Sequence, residues 1–414
     1  MKRLLAALGA ALLFGPLGAQ VRLTDYRRSV IAYSNELKAA AARTAAASET
    51  LGQARTGYLP RLSMEGDFSV AMRRHEGVER WTFGVLPQIV QTVYGGGSVR
   101  AAADRAELGY EIALCDEEFT RLEMLYAADR AFWNLSAARL YAEAMQRYVA
   151  IILSLKRVVD RRFDEGYIAR GDVLMIDARL SEARYGQTEA GQMAEVALHN
   201  FNILCGSDPS GEVVLDGGIS DSIALPRRLS ADEALERRPD YAAARLRVEQ
   251  AETDVRVAQA AFNPQLSVGV GGSWMPDTPN RTGETHVNGS AFVKLSVPIF
   301  HGGERRRAVG AARARKLAAE WETAGAAEEI VRTEMNSWTA VVRSRAQVDA
   351  SERSLAIARE NLELSTYSYG EGLATILDVL QAQLSWIQLY TNDIIARYNY
   401  ALAVSDYLRI TVQE

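Results

Sequence analysis

The residues of this sequence whose types could carry chemistry are four histidines, two cysteines, two glycine runs and two aspartates that follow glycine turns. His75, His199, His286 and His301 are scattered without ligand spacing, so the sequence predicts no metal site. Cys115 and Cys205 are too few for a disulfide framework and are expected as two buried free thiols. Gly97-Ser98-Val99-Arg100 follows a strand-like run but lacks the Gly-Lys-Ser/Thr ending of a phosphate loop. No serine, histidine and acid cluster is legible, nor paired carboxylates in a plausible pocket, so neither an enzyme nor a cofactor is expected. Asp172 and Asp378 remain, each shortly after a Glu-Gly pair, where an aspartate opening a helix satisfies free amide protons.

These positions recur at one spacing. Gly96 and Gly302, Gly166 and Gly372, and Asp172 and Asp378 share an offset of about 206 positions, so the chain reads as two copies of one unit. The expected division is a leader over 1–19, a first repeat over 20–206, a linker over 207–232 and a second repeat over 233–414. Each repeat would run helix, β-hairpin, long helix, turn and returning helix, with hairpins near 61–94 and 265–300 and turns near 163–172 and 369–378. Pro60 and Pro264 mark helix-to-strand junctions, where a missing amide proton does least damage. Gly96-Gly97 and Gly302-Gly303 mark strand-to-helix junctions, where the chain must change direction tightly.

The helices must be long. From Tyr110 to Glu165 there is neither Gly nor Pro, and about 56 helical residues would extend roughly 85 Å. Ala326 to Tyr369 and Leu373 to Glu414 repeat that pattern. The strands alternate, with Leu62, Met64, Phe68 and Val70 opposite Ser63, Glu65, Asp67 and Ser69. Phe83, Val85, Ile89 and Val93, then Leu266, Val268 and Val270, then Val293, Leu295, Val297 and Ile299 continue the apolar set. Trp81, Trp274, Tyr94 and Phe300 sit near strand ends, as interfacial aromatics would. Segments 73–80 and 277–287 are expected as loops.

Each strand suits the roughly 9 to 11 residues of a tilted bilayer-crossing strand. Lys2-Arg3 before an apolar run reads as a secretory leader ending at Ala19, and the absence of a following cysteine argues against a lipid anchor. Removing Lys2 and Arg3 takes the formal charge from −5 to about −7, a balance that disfavours a nucleic-acid partner. Four strands leave two open edges, which hydrocarbon does not tolerate, so a membrane reading requires several chains to share a barrel. Three copies would supply twelve strands. The fold class expected is mainly α with β, an α+β membrane protein of long antiparallel helices and four strands per chain.

Several motifs carry a family likeness. They are Val297-Pro298-Ile299-Phe300-His301-Gly302-Gly303-Glu304-Arg305-Arg306, Arg238-Pro239-Asp240, Tyr367-Ser368-Tyr369-Gly370-Glu371-Gly372 with Asp378-Val379-Leu380, and Arg397-Tyr398-Asn399-Tyr400. In order and spacing the chain resembles the outer-membrane efflux proteins related to TolC. The resemblance implies a homotrimer with a twelve-stranded barrel in outer-membrane lipid and an α-helical barrel crossing the periplasm. It implies an exit duct for a tripartite efflux pump or type I secretion system, partnered by a periplasmic adaptor and an inner-membrane transporter. Gly166, Tyr167, Ile168 and Ala169, with Gly372, Leu373, Ala374 and Thr375, match the adaptor-docking tips. Asp172 and Asp378 match acidic positions of the periplasmic gate, where a threefold carboxylate ring would attract cations. Some members hold an arginine at the position of Ala374 and an acid at that of Gln381, so Arg170 and Tyr369 are expected to substitute, partnering Asp172 across neighbouring hairpins. A periplasmic adaptor-like coiled-coil protein is the alternative, sharing the leader and helical hairpin without the four amphipathic strands.

Overall fold

The computed structural model of the chain describes residues 20–70, 72, 81–275 and 286–413. The leader over 1–19 and the loop over 73–80 lie outside the described residues, as does the side chain of Trp81. Of the second loop, 277–287, only His286 and Val287 are described, and they belong to a strand.

In chain order the elements are β1 (Gln20–Val21), α1 (Leu23–Tyr33), α2 (Asn35–Arg55), β2 (Arg61–Val70), β3 (Trp81–Tyr94), α3 (Ser98–Asp164) and α4 (Arg170–Cys205). They continue with β4 (Val214–Leu215), α5 (Ala231–Arg237), α6 (Pro239–Ala260), β5 (Gln265–Met275), β6 (His286–Ser296), α7 (Glu304–Gly370) and α8 (Ile376–Thr411). The two copies match in length: α3 and α7 have 67 residues each, α4 and α8 have 36 each. At 1.5 Å per residue, α3 and α7 each run about 100 Å. Both begin earlier than their Gly- and Pro-free runs, because Gly109, Gly310 and Gly325 are absorbed in the helix interior. A glycine there costs about 1 kcal/mol against alanine, which the surrounding alanine, arginine and glutamate offset. No described helix is long and apolar enough to cross a membrane.

The chain divides into two compact units. One comprises the chain up to Ser34, Leu122–Leu229 and everything from Glu334 on. Its main core joins Ile152 and Val159 of α3, Ile176 and Ala183 of α4, Leu355 and Leu362 of α7, and Val379 and Trp386 of α8. A second cluster seats Tyr26 and Val30 of α1 on Phe132, Leu135 and Phe201, with the Tyr26 ring stacked 3.8 Å from that of Phe201. The Tyr26 hydroxyl donates to the Phe201 carbonyl at 2.9 Å, so the buried phenol keeps a partner.

The segment expected as a linker is packed into this unit. β4 pairs parallel with β1, Ile219 is buried in the main core, and the Leu229 amide donates to the Tyr407 hydroxyl at 2.9 Å. Arg397, from the Arg-Tyr-Asn-Tyr motif, bridges Asp393 at 2.8 Å and Glu352 at 2.6 Å and reaches the Ser220 carbonyl. In the other unit, α5 starts at Ala231, slightly before the expected repeat boundary, because Ser230 and Glu233 form a capping box.

That other unit, Asn35–Arg121 with Ser230–Thr333, holds the sheet. Its order is β2-β3-β5-β6, all antiparallel, so the two hairpins join through β3 and β5. Register lines up one residue kind per face. Leu62, Ile89, Val270 and Ala291 form one row across all four strands, and Ser63, Gln88, Gly271 and Ser290 form another. β6 ends at Ser296, so Val297 to Phe300, expected within the hairpin, lie beyond the paired strand. The ring of Phe292 lies over Gly269, where an added Cβ would meet it at 2.4 Å. Below the sheet, α2, α3, α6 and the first part of α7 pack through alanines and cross-helix ion pairs such as Arg105–Asp254 and Arg256–Asp104.

Candidate functional site

The two expected turns are helix endings of one design. Gly166 and Gly372 have φ of 78° and 77°, a left-handed conformation that only glycine adopts without strain. At the first, Tyr167 N donates to Arg162 O at 2.8 Å and Gly166 N to Phe163 O at 2.9 Å. At the second, Leu373 N donates to Ser368 O at 2.8 Å and Gly372 N to Tyr369 O at 3.1 Å. These paired bonds are Schellman motifs, which satisfy the last carbonyls of a helix. Tyr167 and Leu373 follow the glycines and are 77% and 80% exposed, while Ile168 and Ala374 turn back onto the main core. Ala169 and Thr375 then precede the returning helices.

Those returning helices start differently. Thr375 caps α8 in a capping box: its hydroxyl accepts from Asp378 N, and the Asp378 carboxylate accepts from Thr375 N at 2.8 Å and from the Thr375 hydroxyl at 2.7 Å. Those bonds hold the Asp378 carboxyl below its ordinary range. Asp378 is therefore part of the cap, with Thr375 as the capping residue proper. Asp172 holds the equivalent position in α4, but the cap there is Ala169, which has no oxygen to offer.

Tyr369 is brought to this region by burial in the main core, and the guanidinium of Arg162 lies over its ring, 4.7 Å from the centroid. Arg162 also donates to the Gly370 carbonyl at 2.8 Å, so one tip is stapled to the other. Burial raises the Tyr369 phenol, the Arg162 charge opposes that, and the nearby Asp172 carboxylate adds to it. Arg170, expected to partner Asp172 across neighbouring hairpins, is exposed and makes no side-chain hydrogen bond or ion pair among the described residues; within the chain it is Arg162 that meets Tyr369. Arg162 carries no distinguishing signal in the sequence, because a basic last turn is ordinary for a helix end. Next to the tips, a groove of about 790 Å³ is lined by Leu155, Val158, Leu362, Tyr369, Gln383 and Trp386.

The strand-to-helix junctions are less alike than the tips. All four glycines have positive φ: Gly96 63°, Gly97 91°, Gly302 58° and Gly303 86°. Gly96 is also crowded, since a Cβ there would lie 2.6 Å from that of Asn263, whose amide donates to the Gly96 carbonyl at 2.8 Å. Gly302 and Gly303 face open space. Pro60 and Pro264 each immediately precede a strand, outside its ladder. Cys115 and Cys205 are free and half-buried, less enclosed than expected.

A four-stranded sheet with an accessible apolar row is thus joined through glycine turns to helices of 67 residues, an architecture shared with outer-membrane channel proteins. The chain belongs to the outer membrane efflux protein family, whose model matches residues 27–201 and again 231–406. It is 25% identical over 366 residues to Protein CyaE of Bordetella pertussis, covering 86% of this chain and 77% of that one. To Outer membrane protein TolC of Escherichia coli K12 it is 23% identical over 384 residues, covering 89% of this chain and 77% of that one. Among solved structures, CusC, described for its transmembrane channel formation, superposes with a TM-score of 0.84 at 16% identity, over 97% of this chain and 96% of that one.

Proposed function

We propose that three copies of this chain close a twelve-stranded barrel in the outer membrane and continue as an α-helical duct into the periplasm. The chain acts as the passive exit duct of a tripartite efflux pump or type I secretion system. The carrying observation is the four-stranded sheet, whose edges β2 and β6 are unpaired among the described residues and whose apolar row is accessible. Unpaired backbone groups cannot be left in hydrocarbon, and β6 of one copy against β2 of the next continues the antiparallel order. The exposed Tyr167 and Leu373, with Gly166, Ile168, Ala169, Gly372, Ala374 and Thr375, form the surface that meets the periplasmic adaptor, which in turn recruits the inner-membrane transporter. Asp172 and Asp378, with the exposed Arg170, line the narrowing of the duct, the buried Tyr369 supports them from behind, and charge there sets ion preference.

The test is reconstitution of the chain into planar bilayers. Cation-preferring channels from a protein recovered in the outer-membrane fraction as a trimer are expected, and Asp378→Asn should raise conductance or weaken cation preference. A protein that stays in the soluble periplasmic fraction and forms no channels would return the adaptor-like alternative. Channels of Asp378→Asn that match wild type would remove that residue from the gate while leaving the duct in place.

A further inference from the structure

Three consecutive arginines, Arg305, Arg306 and Arg307, follow Glu304 in the first turn of α7, directly after the second strand-to-helix junction. All three are exposed, and none of their guanidinium groups has a hydrogen-bond or ion-pair partner among the described residues. Their place is unfavourable for the helix itself, because the positive end of the helix dipole repels cations in the first turn. Glu304 in the same turn suits the dipole, but the three cations beside it are left facing solvent. Just before the glycine turn, Ile299 and Phe300 are 92% and 84% exposed, and Ile299 prolongs the accessible apolar row of Val293, Leu295 and Val297. An apolar strand end and a cationic cluster therefore sit on either side of one tight turn, Gly302-Gly303. The first junction has no such cluster, since Arg100 stands alone after Gly97-Ser98-Val99.

We propose that Ile299, Phe300, Arg305, Arg306 and Arg307 form a binding surface for anionic phospholipid headgroups in the leaflet on the helical side of the barrel. The apolar pair lies at the acyl boundary, and the three guanidinium groups take the headgroup phosphate, which their planar donors suit. The charge is complementary, and the apolar face is continuous with the lipid-facing row. This inference rests on the sheet's being embedded in the membrane.

The experiment is native mass spectrometry of the detergent-solubilised protein mixed with equimolar phosphatidylglycerol and phosphatidylcholine of identical acyl chains. Wild type should retain phosphatidylglycerol with a several-fold preference, R305Q/R306Q/R307Q should retain the two lipids equally, and R100Q should behave as wild type. Raising the salt to about 0.5 M, where screening shortens to a few ångströms, should erode the wild-type preference, a readout that does not depend on the variant folding. The proposal is overturned if wild type shows no preference, if the triple variant keeps it, if salt leaves it unchanged, or if inorganic phosphate binds and phosphatidylglycerol does not. Wild-type conductance in neutral-lipid bilayers reports separately on the duct, so a failed lipid surface and a failed channel reading are distinguishable.

Discussion

Where α3 ends, Arg162, Phe163, Gly166 and Tyr167 make the same pair of backbone hydrogen bonds that Ser368, Tyr369, Gly372 and Leu373 make where α7 ends. Beyond them the tips part company. Thr375 and Asp378 cap α8 reciprocally, whereas Ala169 and Asp172 leave the start of α4 without a side-chain cap. The two tips share what the backbone needs to turn and differ in what the side chains do afterwards. An L-residue in place of a left-handed glycine is strained by roughly 1–2 kcal/mol, while a missing cap costs about 1 kcal/mol and can be absorbed by core packing. The first tip contributes differently: its Arg162 reaches across to Tyr369 and Gly370 of the second, with no reciprocal arginine.

The comparison can be broken most severely at the shared feature. Gly166→Ala and Gly372→Ala should each destabilise by roughly 1–2 kcal/mol, because an L-residue is strained at these φ values although both sites have open space. Equal shifts in denaturant midpoint are expected, and a marked inequality would mean that the two endings are not equivalent. Arg162→Ala, which removes the cation over Tyr369 and the bond to Gly370, should cost on the order of 1 kcal/mol. It should also increase amide hydrogen exchange at both tips, whereas Arg170→Ala should change neither.

Thr375→Ala should cost about 1 kcal/mol, and the difference between the tips predicts the converse, that Ala169→Thr gains several tenths by building a cap with Asp172. If Ala169→Thr brings no gain in melting temperature, the first tip is held by something other than its cap. The smallest effect is in the pH profile. With the Asp378 carboxyl held below its ordinary value of 3.8, its contribution is complete above that value and fades as the pH falls through the lowered one. Asp378→Asn should therefore flatten stability against pH only below about pH 4, a difference that acid titration of the melting temperature will resolve.

Particular residues show how much of this was legible. Gly96, Gly166, Gly302 and Gly372 stood out in the sequence because glycine is the residue that takes positive φ at least cost, and all four adopt it. The strand faces were legible too, since alternation is a property of the strand itself. The starts of α3 and α7 were harder, because interior glycines such as Gly109 and Gly310 resemble breakers until the rest of the helix outvotes them. Arg162 and the packing of Ile219 and Leu229 gave no local signal, and Asp378 announced itself as a possible cap without revealing that Thr375 shares the work.

By itself the sequence determined the doubled order of strand, glycine turn, long helix and tip, and with it the kind of protein this is. Those features rest on interactions within a few residues: side-chain alternation, helix propensity and the freedom of glycine. Tertiary structure alone decided that β3 pairs with β5, that Asn263 closes over Gly96, and that Arg162 finds Tyr369. Each of these joins residues that lie far apart in sequence, so which partner wins is set by the packing of whole helices and sheets, which local pattern does not encode.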